Sequence, residues 1–188
     1  MDDRIVESAS NEIPEIPELV EKMCLFALDE AREKMEKNGE VVPFTTLVVK
    51  DNLFLESHPG EDPEQCFAVA RHTVQGARGA EGYAFCYDGY VDADVGMLDA
   101  LIAEGGLPGE NEAYAIGYLY EVDDEGTLTF QDDPVYIGEA PNFMVNLKEA
   151  DAYSFDEIDA RYLEDEEDFE FEATPEAELE AAFAPAAE

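Results

Sequence analysis

Residues 41–55 read VVPFTTLVVKDNLFL, and this stretch decides the fold class. Its first nine residues are rich in β-branched side chains, which favour extended strands. Lys50-Asp51-Asn52 is a turn signal, and Leu53-Phe54-Leu55 has the composition of a second short strand. The stretch therefore predicts a β-hairpin, and hairpin turns imply a mostly antiparallel sheet.

A helix is predicted on each side of this hairpin. Before it, apolar residues repeat every four positions and predict an amphipathic helix over Pro17–Lys37, which Asn38-Gly39 ends. Proline suits the first helical position because its missing N–H would have had no partner there. After the hairpin, Asp62 can cap and Pro63 can open a second helix, which ends at Gly76.

Further strands follow the second helix. Alternating residue types predict strands over Gly82–Val91 and Ala113–Val122, with shorter strands over Thr127–Phe130 and Val135–Ile137. Met97–Ala103 is an apolar run in which we expect a short helix. The expected fold is therefore α+β: a mostly antiparallel sheet of about five strands, two main helices packed on one face, and an acidic C-terminal extension.

The charge is uneven along the chain. The 188 residues carry 48 Asp and Glu against 10 Lys and Arg, which gives a formal net charge of −38. Residues 149–188 alone carry −15, whereas residues 41–148 carry −16 over a much longer stretch. We therefore expect three segments: an N-terminal lead-in over 1–16, an α+β domain over 17–148, and an acidic, partly helical or disordered tail over 149–188.

The composition excludes several classes of protein. Direct binding to nucleic acid or to an anionic membrane needs a basic patch, which this charge opposes. No apolar run reaches the roughly 18 residues of a membrane helix, and no signal peptide is visible behind Met1. Cys24, Cys66 and Cys86 are too few and too scattered for a disulfide framework. We therefore expect a cytoplasmic protein.

The histidines limit the catalytic options. His58 and His72 are the only two in the chain, so histidine-dependent chemistry must use one of them. His72 follows Cys66 by six residues on one predicted helix, which points the two side chains about 120° apart. That arrangement is poor for a nucleophile and its base, and we assign no catalytic residues.

Three aspartates are weak candidate ligands for a metal ion. Asp88, Asp92 and Asp94 precede Gly96, and Ca²⁺ prefers several carboxylate oxygens on a flexible loop. However, an EF-hand loop needs its glycine at the sixth position, whereas Gly96 is the fifth residue counted from Asp92. The chain contains neither a zinc-binding spacing nor a phosphate-binding loop, and we expect no cofactor.

Six aromatic residues on the two longest predicted strands are candidates for a binding face. If those strands pair, the aromatic side chains line one face as cross-strand neighbours. The alternative is that they form the core under the helices. Phe169 and Phe171 stand between acids in the tail, a pattern typical of segments that dock onto basic or apolar surfaces. The six strand residues are Tyr83, Phe85, Tyr87, Tyr114, Tyr118 and Tyr120.

The layout from Ala31 to Tyr90 resembles that of small uncharacterised bacterial α+β proteins. The shared features are Glu40-Val41-Val42-Pro43 at the entry to a hairpin, Pro59 ahead of a helix, and an aromatic strand over Tyr83–Tyr90. The resemblance implies a small domain and no activity that can be transferred. The acidic tail departs from it.

Three functions are compatible with the sequence. The first is a non-enzymatic interaction domain that binds basic or apolar protein surfaces, with a nucleic-acid mimic as its sharper form. The second is an enzyme that combines His58 or His72 with carboxylates. In the third, the charge reflects salt adaptation and has no binding role. An apolar edge strand could support a homodimer that charge repulsion opposes at low salt, so the oligomeric state stays open.

Overall fold

The computed structural model describes residues 5–7 and 13–148, which form one sheet and two helices. The helices are α1 (Glu18–Asn38) and α2 (Pro63–Gly76). The strands are β1 (Ile5–Glu7), β2 (Phe44–Val49), β3 (Asn52–Ser57), β4 (Gly82–Ala93), β5 (Gly96–Gly106), β6 (Glu112–Val122), β7 (Leu128–Phe130) and β8 (Val135–Pro141). The α+β class with a mostly antiparallel sheet is confirmed, with more strands than the five expected.

The described strands form a sheet in the order β3-β2-β4-β5-β6-β7. β8 pairs with the first part of β6, on the same side as β7. β1 pairs with the end of β4, where Ile5 lies opposite Tyr90 in the parallel orientation, while the other pairs are antiparallel. The three longest strands, β4, β5 and β6, therefore lie at the centre and carry the core.

The β2–β3 hairpin forms as predicted. Its two turn residues, Lys50 and Asp51, have φ of 49° and 62°, as a type I′ turn requires. The side-chain amide of Asn52 donates a hydrogen bond to the Lys50 carbonyl at 3.0 Å. Because the turn has only two residues, Val49 lies directly opposite Asn52, and this fixes the register of the whole hairpin.

Both helices begin and end close to the predicted residues. α1 starts directly after Pro17, and Gly39 ends it with φ of 75° while donating its N–H to the Met35 carbonyl at 2.8 Å. The Asp62 carboxylate caps α2 by accepting the Gln65 N–H at 2.9 Å. Within residues 13–148, neither helix is long and apolar enough to cross a membrane.

The two helices lie on opposite faces of the sheet, so the expectation of one shared face is wrong. α1 packs on small side chains of the central strands, among them Ala84, Cys86 and Ala103. α2 packs over larger side chains on the other face, including Tyr83 and Phe85. β4 presents apolar side chains to both faces of the sheet, so each face must be shielded from water, and one helix packs on each.

The short helix expected over Met97–Ala103 is also wrong, because this run belongs to β5. Ala103 lies opposite Cys86 of β4 on one side and Ile116 of β6 on the other. A short apolar run has no period that separates a buried strand from a buried helix. Pairing on both sides decides in favour of the strand, since it satisfies the backbone hydrogen-bonding groups.

The expected lead-in over 1–16 contains β1, which is held by backbone pairing with β4. The predicted tail over 149–188 lies outside the described residues, and with it Phe169 and Phe171.

Candidate functional site

The basic residues are absent from a long part of the chain. Residues 79–147 contain 15 Asp and Glu and no Lys or Arg. This segment supplies β4 to β8, which form most of the sheet. The charge is therefore polarised within the fold, because the basic residues of 13–148 lie on α1, on the β2–β3 turn, on α2 and just after it, and at Lys148.

Two acidic turns lie at the same end of the sheet. β4 and β6 both run toward this end, because β5 is antiparallel to each of them. Asp92 and Asp94 lie at the β4–β5 turn, and Asp123-Asp124-Glu125 form part of the β6–β7 turn. α1 also ends here at Gly39, and the carbonyls of a helix C-terminus add partial negative charge. We call this region the acidic end.

A cleft of about 480 Å³ opens at the acidic end. One wall is the last turn of α1, and the other is formed by β4, β6 and the β6–β7 hairpin. The wall residues are acidic or apolar, so the cleft combines negative charge with hydrophobic contact area. The lining residues are Met35, Glu36, Gly39, Asp88, Tyr120, Val122, Gly126 and Leu128.

Asp88 and Tyr120 form a hydrogen-bonded pair inside this cleft. The Tyr120 hydroxyl donates to Asp88 Oδ1 at 2.7 Å. Desolvation raises the pKa of the Asp88 carboxyl; the Tyr120 hydrogen bond offsets part of this shift, and the nearby charge of Asp99 adds to it. Burial and the Asp88 carboxylate raise the pKa of Tyr120 as well. A cation beside Asp88 would favour its charged form and relieve its repulsion with Asp99.

The basic residues on the last two turns of α1 contact partners other than Asp88 and Asp99, although the partner of Arg32, Glu36, lines the cleft. Arg32 pairs with Glu36 at 3.1 Å and stacks 5.1 Å from the centre of the Phe130 ring, Lys34 lies 4.3 Å from the centre of the Phe44 ring, and Lys37 pairs with Glu33. The ion pairs between described residues are all of this local kind, and none involves Asp88 or Asp99. Both carboxylates are therefore available to a cation from outside the described domain.

The β6–β7 turn holds its negative charge in a fixed position. The Asp123 carboxylate accepts the backbone N–H groups of Glu125 at 2.9 Å and Thr127 at 2.7 Å. These hydrogen bonds, that from Thr127 foremost, lower the pKa of Asp123. The turn therefore presents an ionised carboxylate beside the cleft, with Gly126 in the lining itself.

The six aromatic residues singled out in the sequence do not line one face. β4 and β6 do not pair, because β5 lies between them. Three of the six are buried in the core under α2, while the other three point to the α1 face, where Tyr120 reaches the cleft. The α2-face residues are Tyr83, Phe85 and Tyr87, and the α1-face residues are Tyr114, Tyr118 and Tyr120.

The two histidines occupy different environments, and neither lines the cleft. His58 is 1% exposed, and its Nε2 lies 2.9 Å from the hydroxyl of Thr45. Burial lowers the pKa of His58, so the neutral ring is favoured. His72 lies on the exposed side of α2.

The three cysteines are buried free thiols. Burial raises the pKa of the Cys24 thiol to about 12 and raises that of Cys86 as well. A thiol with a raised pKa carries little thiolate and is a poor nucleophile at neutral pH. Cys24 and Cys86 therefore act as small core residues between α1 and the sheet.

A buried carboxyl lies on the α2 face, and no sequence pattern indicates it. Glu104 is completely buried on β5, and the Tyr87 hydroxyl donates to its Oε1 at 2.7 Å. Among 48 acids, nothing but its place at the end of an apolar run distinguishes this one. The contact ties β4 to β5 within the aromatic core.

Of the three aspartates considered as calcium ligands, Asp88 lines the cleft and the other two do not. Asp88 is within β4, Asp92 is near its end, and Asp94 is in the following turn. The part of the chain that the structure describes contains no group of three or more His, Cys, Asp or Glu side chains placed to hold a metal ion.

Of the residues singled out in the sequence, Asp88 and Tyr120 line the cleft. The contributions of Met35, Glu36 and Leu128 depend on how α1 ends over the sheet and were not visible in the sequence. The segment without basic residues could have indicated the acidic end. No family model matches this chain, and no curated protein or solved structure is significantly similar to it.

Proposed function

We propose that this protein is a non-enzymatic interaction domain that binds a basic segment of a partner protein at the cleft of the acidic end. The observation that carries this proposal is the cleft itself, where the Asp88 carboxylate lies beside a helix C-terminus and apolar side chains, with the charge of Asp99 nearby. The 69 residues from 79 to 147 supply no cation to neutralise them.

The shape of the cleft favours a long basic side chain over a simple ion. An arginine or lysine can place its charged group at Asp88 while its aliphatic stem contacts apolar walls. Met35, Val122 and Leu128 supply such walls, and Val122 is 55% exposed. The ligand that fits is therefore a segment in which Arg or Lys alternates with apolar residues.

The long-range field supports the same partner. A net charge of −38 attracts basic proteins and speeds their encounter, in a manner that salt weakens. Attraction alone does not select a site, however. The cleft adds selection because it combines the Asp88 carboxylate, a helix C-terminus and apolar walls.

A binding titration on the full chain tests the proposal. The probe is a short fluorescent peptide of alternating arginine and leucine, followed by anisotropy over a KCl series. We expect Asp88→Asn with Asp99→Asn to weaken binding by about tenfold in dilute salt, because two charge-assisted contacts are lost. Affinity should also fall steadily as KCl rises.

Glu110→Gln with Glu112→Gln provides the matched control. It removes the same charge from the exposed β5–β6 end of the sheet, away from the cleft. We expect less than about a twofold effect from it. Equal losses for the two double variants would show that binding follows net charge alone, and the cleft would then have no role.

A further inference from the structure

An apolar edge strand lies at one side of the sheet. β3 ends the strand order and pairs only with β2 among the described strands. All six of its residues are exposed, including Leu53 at 43%, Phe54 at 56% and Leu55 at 41%. Three consecutive exposed apolar residues on an unprotected edge mark a site for pairing with another strand.

The hairpin register shows which backbone groups of β3 face outward. In a two-residue hairpin the pair that flanks the turn is hydrogen-bonded, so Asn52, Phe54 and Glu56 bond to β2. The next even residue follows the pattern, since the His58 N–H donates to the Pro43 carbonyl at 2.7 Å. The N–H and C=O groups of Leu53 and Leu55 therefore point away from the sheet.

The opposite side of the sheet is protected against such pairing. β7 has only three residues, and β8 is preceded by Pro134 and ends at Pro141. Short strands and prolines are the usual means of blocking an edge, because proline has no N–H to donate. β3 contains neither device, so the open edge is confined to one side of the sheet.

The hairpin that carries the open edge, residues 44–57, has little net charge: Lys50 is its one base, and Asp51 and Glu56 are its two acids. Residues 41–55 contain one base, Lys50, and one acid, Asp51, and their net charge is zero. Elsewhere the chain averages far more negative charge. Two copies of this protein therefore meet little local charge repulsion when they approach through β3.

We infer that β3 pairs with β3 of a second copy in an antiparallel, two-fold arrangement that joins two sheets into one. One register suits the side chains: Phe54 lies opposite the second copy's Phe54, and each Leu53 lies opposite the second copy's Leu55. The outward backbone groups of Leu53 and Leu55 then bond each other. A shift by two residues in either direction would place Phe54 opposite Asn52 or Glu56.

The dimer is weak in dilute salt and strengthens with added salt. A standard interface buries about 800 Å² per partner, and one strand pair buries less. Repulsion between two chains of −38 opposes it further, and molar salt shortens the screening length from about 10 Å at 0.1 M to about 3 Å. Pairing through β3 leaves no second β3 edge, so assembly ends at the dimer.

Sedimentation equilibrium on the full chain, over rising protein concentration and KCl, tests this inference. We expect monomer in dilute buffer and dimer near molar KCl. Phe54→Lys should weaken dimerisation by more than about tenfold, even though it reduces the net negative charge. Leu55→Pro removes an outward N–H that makes no hydrogen bond to β2 in the monomer. It should also abolish the dimer while leaving the melting temperature of the monomer little changed.

Val95→Lys is the matched control, because it makes the same charge change at a valine that is 83% exposed in the β4–β5 turn. It should dimerise as the parent does. A parent chain that stays monomeric throughout the series would overturn the inference. So would equal dimerisation of Phe54→Lys and Val95→Lys, or growth beyond a dimer.

Discussion

Replacement of Gly105 by alanine tests how closely α1 sits on the sheet. A Cβ at Gly105 would lie 2.6 Å from Cys24 Sγ, 3.0 Å from Val20 Cγ1 and 3.1 Å from the Tyr83 carbonyl oxygen. Two of these atoms belong to α1 and one to the backbone of β4. The new methyl group cannot avoid α1 by moving toward β4, because the Tyr83 carbonyl oxygen is already too close there. α1 must therefore shift away from the sheet.

The expected cost follows from two opposing effects. Overpacking a core by a methyl group costs about 1–3 kcal/mol, whereas alanine in place of a strand glycine recovers about 0.5–1 kcal/mol of backbone entropy. Gly105→Ala should therefore lower the free energy of unfolding by about 0.5–2 kcal/mol. Gly76→Ala is the control: a Cβ there meets nothing within 4 Å, so its stability should be unchanged or slightly raised.

A double-mutant cycle locates the strain. Cys24→Ala removes the sulfur that lies nearest to the new methyl group, so the double variant should lose at least about 0.5 kcal/mol less than the sum of the single variants. Urea unfolding of the full chain at fixed, high KCl measures all four proteins. If Gly105→Ala proves as stable as Gly76→Ala, α1 does not contact β5 at this residue and the packing described above is wrong.

Three further substitutions test individual contacts. The pKa of His58 is lowered in the folded protein, so the unfolded chain binds a proton there more readily. The stability of the parent protein relative to His58→Gln should therefore fall as pH drops below about 6.5, which thermal melts from pH 7 to 5 measure. The raised pKa of Asp88 has the opposite effect: the stability of the parent protein relative to Asp88→Asn should fall as pH rises through that pKa. A stability difference that does not change with pH would show that burial does not raise the pKa of Asp88. Tyr87→Phe deletes the hydrogen bond to buried Glu104 and should cost about 1–3 kcal/mol in urea unfolding; no loss would mean that the contact is not formed.

The parts of the fold that local chemistry determines could be predicted from the sequence. Both helix boundaries of α1 follow from Pro17 and Gly39, and the start of α2 follows from the Asp62 cap. The β2–β3 hairpin follows from its turn and its β-branched strand. In each case the signal lies within a few residues of the feature, so no tertiary contact is needed to recognise it.

Features that depend on pairing between distant residues could not be predicted in this way. The apolar run over Met97–Ala103 predicts a helix, because it gains its strand character only from β4 and β6, its two neighbours in the sheet. The expectation of two helices on one face also differs from the structure, although residues 83–87 of β4 are apolar on both faces. That continuous pattern is typical of a strand covered on both sides and was the available signal. The cleft could not be predicted without the strand order and the placement of α1, since α1 forms one wall and the central strands form the other.

The arrangement of charge bears on whether the acidity has a function at all. Adaptation to a saline environment would add acids without regard to position, yet here 79–147 contain no base and 41–55 have no net charge. The two surfaces then respond to salt in opposite ways: added KCl should weaken a basic ligand at the cleft and strengthen pairing at β3. Salt adaptation alone predicts that KCl stabilises the fold and changes neither kind of binding. A single KCl series that measures unfolding, peptide binding and molecular mass therefore separates the three hypotheses. Added KCl should weaken peptide binding at the cleft, strengthen dimerisation through β3, and change neither if the charge reflects salt adaptation alone.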